Sequence, residues 1–219
     1  MKVAVIGGGS SYTPELINGF LDRVQEFPLS ELWLMDISPE RLDVVGGFAR
    51  QMVAARGSPF HVHFTRDRRQ ALRDARYVIT QLRVGGMQAR REDEYLGRRH
   101  GLIGQETTGV GGMANALRTI PVILDIARDM AVLAPGALLV NFTNPAGLIT
   151  EALARHVPEV PSVGVCNVPF NAKMQMLGLL GEVTPEEVLP FQAKLLTLGL
   201  NHLSCCLLYT SDAADDSMR

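Results

Sequence analysis

Residues 3–16 read VAVIGGGSSYTPEL, and the fold follows from how that stretch is read. Val3–Ile6 is a short β-branched and apolar run of the kind that makes a buried strand. It stops at Gly7-Gly8-Gly9. Pro14 then stands where the first turn of a helix tolerates a residue without an N–H. A strand, a glycine turn and a helix in that order form the opening of a dinucleotide-binding unit. One glycine permits the tight turn, the next lets backbone N–H groups approach a pyrophosphate, and the helix offers its positive end. Gly7 and Gly9 match the first two glycines of that fingerprint, and Ser or Tyr stands where the third would be. Glycine turns after strands are common, so the signal is weak on its own. Asp36 strengthens it. This acid closes the second apolar run, Leu32–Met35, where it can accept both ribose hydroxyls of an adenosine and repel a 2′-phosphate, favouring NAD over NADP. It lies 27 residues beyond Gly9, further than the usual spacing of about 20. The loop at 26–30 can absorb the excess. Asp36 could equally belong to the turn that opens the helix beginning at Ser38-Pro39.

Working outward, the chain alternates strand and helix as far as residue 180. Strands are expected at 2–6, 32–35, 61–64, 77–81, 138–141 and 162–165. Helices are expected at 14–23, 39–55, 68–74, 114–133 (kinked at Pro121), 145–156 and 171–180. That order predicts an α/β fold, a Rossmann-like doubly wound parallel sheet with helices on both faces. The domain limits read from the sequence are 1–170 for the NAD-binding domain and 171–204 for the second domain. Gly85–Gly112 reads as a long irregular loop, and a loop of that length inside a domain is usually functional.

Composition narrows the field. The 219 residues are 47% hydrophobic and 20% charged, which excludes a disordered chain. A net charge of -2 argues against a nucleic-acid binder. No apolar run reaches the roughly 20 residues of a membrane span. Met1-Lys2 is followed by too few apolar residues for a signal peptide, so the expected location is the cytoplasm. Three cysteines make no disulfide framework.

The last stretch is different. Cys206–Asp216, CLLYTSDAADD, has no periodicity joining it to what precedes, and a packed element is not expected there. It resembles the translation of a sequencing adapter, so residues 205–219 are read as a non-native tail.

Four further stretches carry chemistry. Asn141-Phe142-Thr143-Asn144-Pro145 ends the fifth strand, at the edge where parallel sheets hold ligands. Asn144 can donate and accept to substrate hydroxyls, or it can cap the next helix. Val165-Cys166-Asn167-Val168-Pro169 ends the sixth strand, and a lone cysteine there is more often buried and inert. Gly199-Leu200-Asn201-His202 follows an apolar run, and its histidine is 36 residues from Cys166, a spacing that makes no metal site by itself. Between Arg83 and Glu106 lie Arg83, Arg90, Arg91, Arg98 and Arg99 with Glu92, Asp93, Glu94 and Glu106. Most are expected to be solvated, although arginines near a nucleotide crevice clamp phosphorylated substrates well.

Taken together, 3–16, RVGG at 83–86, GLIGQETTGVGG at 101–112, ALRTIPVILDIARDM at 116–130, NFTNPAG at 141–147, CNVP at 166–169 and GLNH at 199–202 resemble glycoside hydrolase family 4. These are NAD- and metal-dependent glycosidases. CNVP further resembles the 6-phospho-β-glucosidase branch. The resemblance implies that Cys166 and His202 are metal ligands and that Arg90 and Asn144 contact substrate. It implies that Glu106 raises the basicity of a catalytic tyrosine and that Gly7, Gly9 and Asp36 bind NAD. Arg83 and Asn167 are further candidates for substrate contact. The implied reaction is hydrolysis of a phosphorylated disaccharide or β-glucoside by oxidation at C3, elimination, water addition and reduction. This family is an exception to the two-carboxylate rule of glycosidases. Mn is the implied metal, although thiolate and imidazole alone would suggest zinc. The resemblance also implies that 171–204 is only the start of an incomplete α+β substrate domain and that the tyrosine base falls beyond residue 204, so the chain as written is expected to be inactive and the intact protein to be a homo-oligomer. The alternatives are an NAD-dependent 2-hydroxyacid dehydrogenase and a non-catalytic NAD-binding fragment.

Overall fold

The computed structural model describes residues 1–180, 193–200 and 202–210. These divide into two compact units, Met1–Val165 and a second beginning at Cys166. The boundary therefore falls five residues before the expected 170, and Cys166 goes with the second unit.

The first unit is a six-stranded sheet. Its strands are β1 (Lys2–Ile6), β2 (Glu31–Met35), β3 (His61–Thr65), β4 (Tyr77–Thr80), β5 (Leu138–Asn141) and β6 (Ser162–Gly164). The order across the sheet is β3-β2-β1-β4-β5-β6, and every pairing is parallel. All six strands are at the expected places. Alternation along β1 sets the two layers. Val3 and Val5 pack with Leu32, Leu34 and Ile17 on one side. Ala4 and Ile6 pack with Val78, Leu139, Ile123 and Ile149 on the other. Helices α1 (Thr13–Asp22) and α2 (Pro39–Ala55) carry residues of the first cluster. Helices α3 (Arg68–Leu72), α5 (Gly109–Leu133) and α6 (Ala146–His156) carry residues of the second. The strand order reverses direction between β1 and β4, so a crevice opens beyond their carboxyl ends.

The expected irregular loop at Gly85–Gly112 is wrong in its first half. Residues Gly86–Arg99 form a helix, α4, packed against α5. Its buried positions are Asp93 and Gly97, not an apolar stripe, so the hydrophobic periodicity that betrays most helices is missing. Glycines let the backbones close in. A Cβ on Gly97 would stand 2.7 Å from the Ile103 carbonyl oxygen, and one on Gly111 would stand 2.7 Å from that of Asp93. Helix α5 also starts at Gly109, earlier than the expected Ala114, and runs on through Pro121.

In the second unit, α7 (Val168–Leu180) packs against an antiparallel pair, β7 (Ala193–Leu200) and β8 (Leu203–Thr210). The expectation that nothing regular follows Cys206 is corrected over 206–210. Thr197 pairs with Cys206 and Ala193 with Thr210. The pairing runs to Leu200 opposite Leu203, and Tyr209 and Thr210 are residue types that favour an extended chain. The remainder of that tail, 211–219, lies outside the described residues.

Candidate functional site

The glycine turn is held from both sides. Gly7 has φ +94°, a conformation that L side chains rarely adopt. The N–H groups of Gly7 and Gly8 both donate to the Met35 carbonyl, at 2.9 and 2.7 Å, which ties the turn to the end of β2. From β4's side, Gln81 Nε2 donates to the Gly7 carbonyl at 3.1 Å and to Thr13 Oγ1 at 2.7 Å. Thr13 Oγ1 in turn donates to the Gly8 carbonyl at 2.9 Å. Gln81 and Thr13 escape sequence reasoning because one brace is 74 residues from its partner.

Asp36 serves the turn directly. Its Oδ2 accepts from Gly9 N at 2.9 Å and its Oδ1 from Ser38 N at 3.0 Å. The helix-opening reading of Asp36 is thus present, and the carboxylate also braces the glycine turn. An ionised carboxylate has about four lone-pair sites, so capacity for two ribose hydroxyls remains. The cradle is bare backbone. A Cβ on Gly8 would come within 2.8 Å of Leu34 Cβ, and one on Gly9 within 2.8 Å of Asp36 Oδ2. Helix α1 begins beside it with no side-chain cap at Tyr12, leaving its positive end open to an anion. These residues fit a dinucleotide.

The end of β5 lies two strands away. Asn141, fully buried, accepts from Thr80 Oγ1 at 2.9 Å, and Thr143 Oγ1 accepts from Leu82 N at 2.8 Å. Those two side chains staple β5 to β4 and are structural. Asn144 does not cap α6, because the N-cap is Pro145. Its carbonyl accepts from Asn115 Nδ2 at 3.4 Å. Its half-buried side chain has no hydrogen-bond partner among the described residues. Phe142 meets Tyr12 edge-on at 5.6 Å, so the β5 edge and the glycine turn are neighbours.

The charged stretch is ordered around one carboxylate. Glu106 is 7% exposed and lies between two guanidiniums. Arg83 Nη1 bonds its Oε2 in a short contact, and Arg90 Nη1 lies 3.5 Å from its Oε1. Arg90 Nε donates to Glu94 Oε1 at 2.9 Å. That hydrogen bond, with the charges of Glu106 and Glu94, holds the guanidinium above the ordinary arginine range against the effect of burial. Beneath this pair, Arg118 grips the buried Asp93 at 3.1 and 2.5 Å and donates from Nε to the Val84 carbonyl at 2.9 Å. Asp93 thus holds Arg118's pKa above the usual range. Arg118 fastens α5 both to α4, which carries Arg90, and to the segment beside Arg83. Arg91, Arg98 and Arg99 are exposed as expected, whereas Asp93 is not. The Asp93–Arg118 pair carries no local sequence signal.

In the second unit, Cys166 Sγ and His202 Nε2 stand 3.5 Å apart, although 36 residues separate them. Two donors of one metal ion, with bonds of about 2.0–2.3 Å, lie about 3–3.6 Å apart, so the pair fits as co-ligands. Among the described residues no third His, Cys, Asp or Glu joins them. Asn167 is half-buried, and its carbonyl accepts from Asn171 N at 2.8 Å in the first turn of α7.

Comparison with known proteins places this geometry. The sequence profile described as "Family 4 glycosyl hydrolase" matches residues 2–182. A "Probable 6-phospho-beta-glucosidase" of Bacillus subtilis (strain 168) is 51% identical over 205 residues, which are 93% of this chain and 45% of the relative. The 6-phospho-β-glucosidase of Thermotoga maritima, solved with manganese, NAD+ and glucose-6-phosphate, superposes with a TM-score of 0.83 at 38% identity. That match covers 96% of this chain and 50% of the other. A 6-phospho-α-glucosidase from gut microorganisms, solved with NAD and Mn2+, has the same TM-score at 33% identity, covering 95% and 47%. The chain spans about half the length of the curated relatives it matches.

Proposed function

Because the chain belongs to family 4 of the glycosyl hydrolases, we propose that the protein hydrolyses 6-phospho-β-glucosides with NAD and a divalent metal, manganese by analogy with its solved relatives. The observation that carries this reading is the 3.5 Å approach of Cys166 Sγ to His202 Nε2. A metal-thiolate site has no place in a plain 2-hydroxyacid dehydrogenase, and the family match covers the nucleotide-binding unit as well. The higher identity to β- than to α-glucosidases supports the β branch. No helix among the described residues is long and apolar enough to cross a membrane, which accords with a cytoplasmic enzyme whose ligand thiolate needs reducing conditions.

When bound, NAD supplies a hydride acceptor and donor for C3 of the sugar, and the metal supplies a Lewis acid for its C2 and C3 oxygens. The chain's own residues do the rest. The turn at Gly7–Gly9 receives the pyrophosphate against bare backbone, and Asp36 accepts from ribose hydroxyls with the lone pairs its two backbone bonds leave over. Cys166, as the thiolate, and His202, as neutral imidazole, hold the metal. Arg90 pairs with the anionic group of the substrate, oriented by Glu94 and Glu106. The Asn144 amide hydrogen-bonds a sugar hydroxyl. Glu106 keeps a negative charge near the proton-abstracting base, which raises that base's affinity for a proton. Arg83 and Arg90 flank Glu106 and fix where its carboxylate lies.

The test, made on the full-length protein, is release of the aryl group from an aryl β-glucoside 6-phosphate, with NAD+, Mn2+ and a thiol reductant each omitted in turn. Release that requires all three is expected. Release without NAD+ overturns the redox mechanism, and release undiminished by a chelator overturns the metal assignment. For Cys166→Ser, loss of Mn2+ binding in a metal titration, with thermal unfolding unchanged, checks the ligand independently of turnover.

A further inference from the structure

Beside Asp36 the structure holds a cation that the reading so far does not use. Arg41 lies on the first turn of α2, where its N–H donates to the capping Ser38 Oγ at 3.3 Å. Its Cβ is packed against the glycine turn. A Cβ built on Gly9 would stand 2.8 Å from Arg41 Cβ and 2.8 Å from Asp36 Oδ2. The roots of the cation and the carboxylate therefore border the same small space. The Arg41 side chain is exposed, and its guanidinium has no ion pair or hydrogen bond among the described residues. The neighbouring acid, Glu40, is already engaged by Ser38 Oγ at 2.9 Å.

In nucleotide sites of this architecture, an acid at the end of the second strand selects an unmodified ribose, and an arginine nearby accommodates a 2′-phosphate. Both elements are present here, five residues apart in the chain. We propose that Arg41 is a latent 2′-phosphate ligand and that Asp36 alone excludes NADP. This rests on the dinucleotide reading of the Gly7–Gly9 turn. A ribose bound to the outer lone pairs of Asp36 carries its 2′ oxygen within reach of Arg41. A 2′-phosphate there would meet one carboxylate and one guanidinium, and the carboxylate makes the contact repulsive. Without the carboxylate, the guanidinium remains, unpaired and able to bind phosphate bidentately. A second exposed cation, Arg66, follows the end of β3 and is the competing source of any phosphate affinity.

The experiment is calorimetric titration of the chain with NAD+ and with NADP+. The wild type is expected to bind NAD+ at least about 100-fold tighter than NADP+. Asp36→Ser should raise NADP+ affinity at least about tenfold, and adding Arg41→Ala should cancel that gain while Arg66→Ala leaves it. Asp36 also braces Gly9 N and Ser38 N, so Asp36→Asn, which keeps an acceptor oxygen, is titrated in parallel and should shift in the same direction. Thermal unfolding monitors the fold of each variant. A gain that survives Arg41→Ala, a gain that vanishes with Arg66→Ala instead, or no gain in either Asp36 variant overturns the proposal and leaves the NAD site intact. A wild-type chain that binds no NAD+ overturns the dinucleotide reading itself, and this inference with it.

Discussion

The glycine turn after β1 and the arginine cluster around Glu106 both lie beyond the carboxyl ends of the central strands, but they are built in opposite ways. The turn is backbone. Its shape comes from contiguous residues, Gly7–Gly9, and its partners are main-chain groups and one carboxylate. The cluster is side chain. Its charges come from the end of β4, from α4, from the loop before α5 and from α5 itself, and only folding brings them together. The two therefore tolerate different changes. A backbone site fails when an atom is added, and a side-chain site fails when a charge is removed.

The largest effect should come from the cluster's foundation. Arg118→Met strips the 4% exposed Asp93 of a bidentate partner and the Val84 carbonyl of a donor. Leaving one partner of a buried ion pair alone costs about 3–5 kcal/mol, read by denaturant unfolding. Adding Asp93→Asn should recover part of the loss by removing the stranded charge. A cost under about 1 kcal/mol would break the comparison, because the cluster would then not depend on its charges.

Next is the turn. Gly7→Ala combines an unfavourable φ with a Cβ 2.6 Å from the Gln81 carbonyl oxygen, and it should cost about 2–3 kcal/mol. Gly9→Ala sharpens the contrast. Its backbone φ is ordinary, and its new methyl meets Asp36 Oδ2 and Arg41 Cβ rather than backbone. Its stability cost should be about 1 kcal/mol, while NAD+ affinity falls at least about tenfold because the cradle is filled. Equal losses of stability and affinity in both variants would mean that Gly9 has no special bearing on the nucleotide.

The same division explains what could be read in advance. All six sheet strands and the placement of Asp36 were legible, because alternation and a glycine turn are local patterns. The helix α4 was not. Its buried face is Asp93 and Gly97, and a stripe of an acid and a glycine looks like a solvated loop until Arg118 and Gly111 are opposite it. Asn144 was legible as a residue at a ligand-holding edge but not as an uncapped amide, because Pro145 takes the N-cap. Cys166 and His202 could be named only through resemblance. Their 3.5 Å approach depends on the β7–β8 pairing, which no 36-residue spacing encodes. Strand β8 carries no clear local sign, because the acids that follow it mask the extended run that pairs with β7.

The smallest effect isolates charge from shape at Arg90. Glu94→Gln keeps an oxygen able to accept from Arg90 Nε, so the side chain's orientation should persist. An i,i+4 pair on a part-exposed helix face contributes about 0.3–0.5 kcal/mol, so unfolding should hardly change. The affinity for glucose 6-phosphate should rise about threefold. One negative charge a few ångströms from a phosphate costs roughly 0.5–1 kcal/mol in a solvated setting, and that repulsion is what the variant removes. The gain should shrink at high salt, since the site is open to solvent. If affinity falls instead, the carboxylate matters more as Arg90's orienting partner than as its competitor. The cluster would then resemble the glycine turn in being limited by geometry rather than by charge.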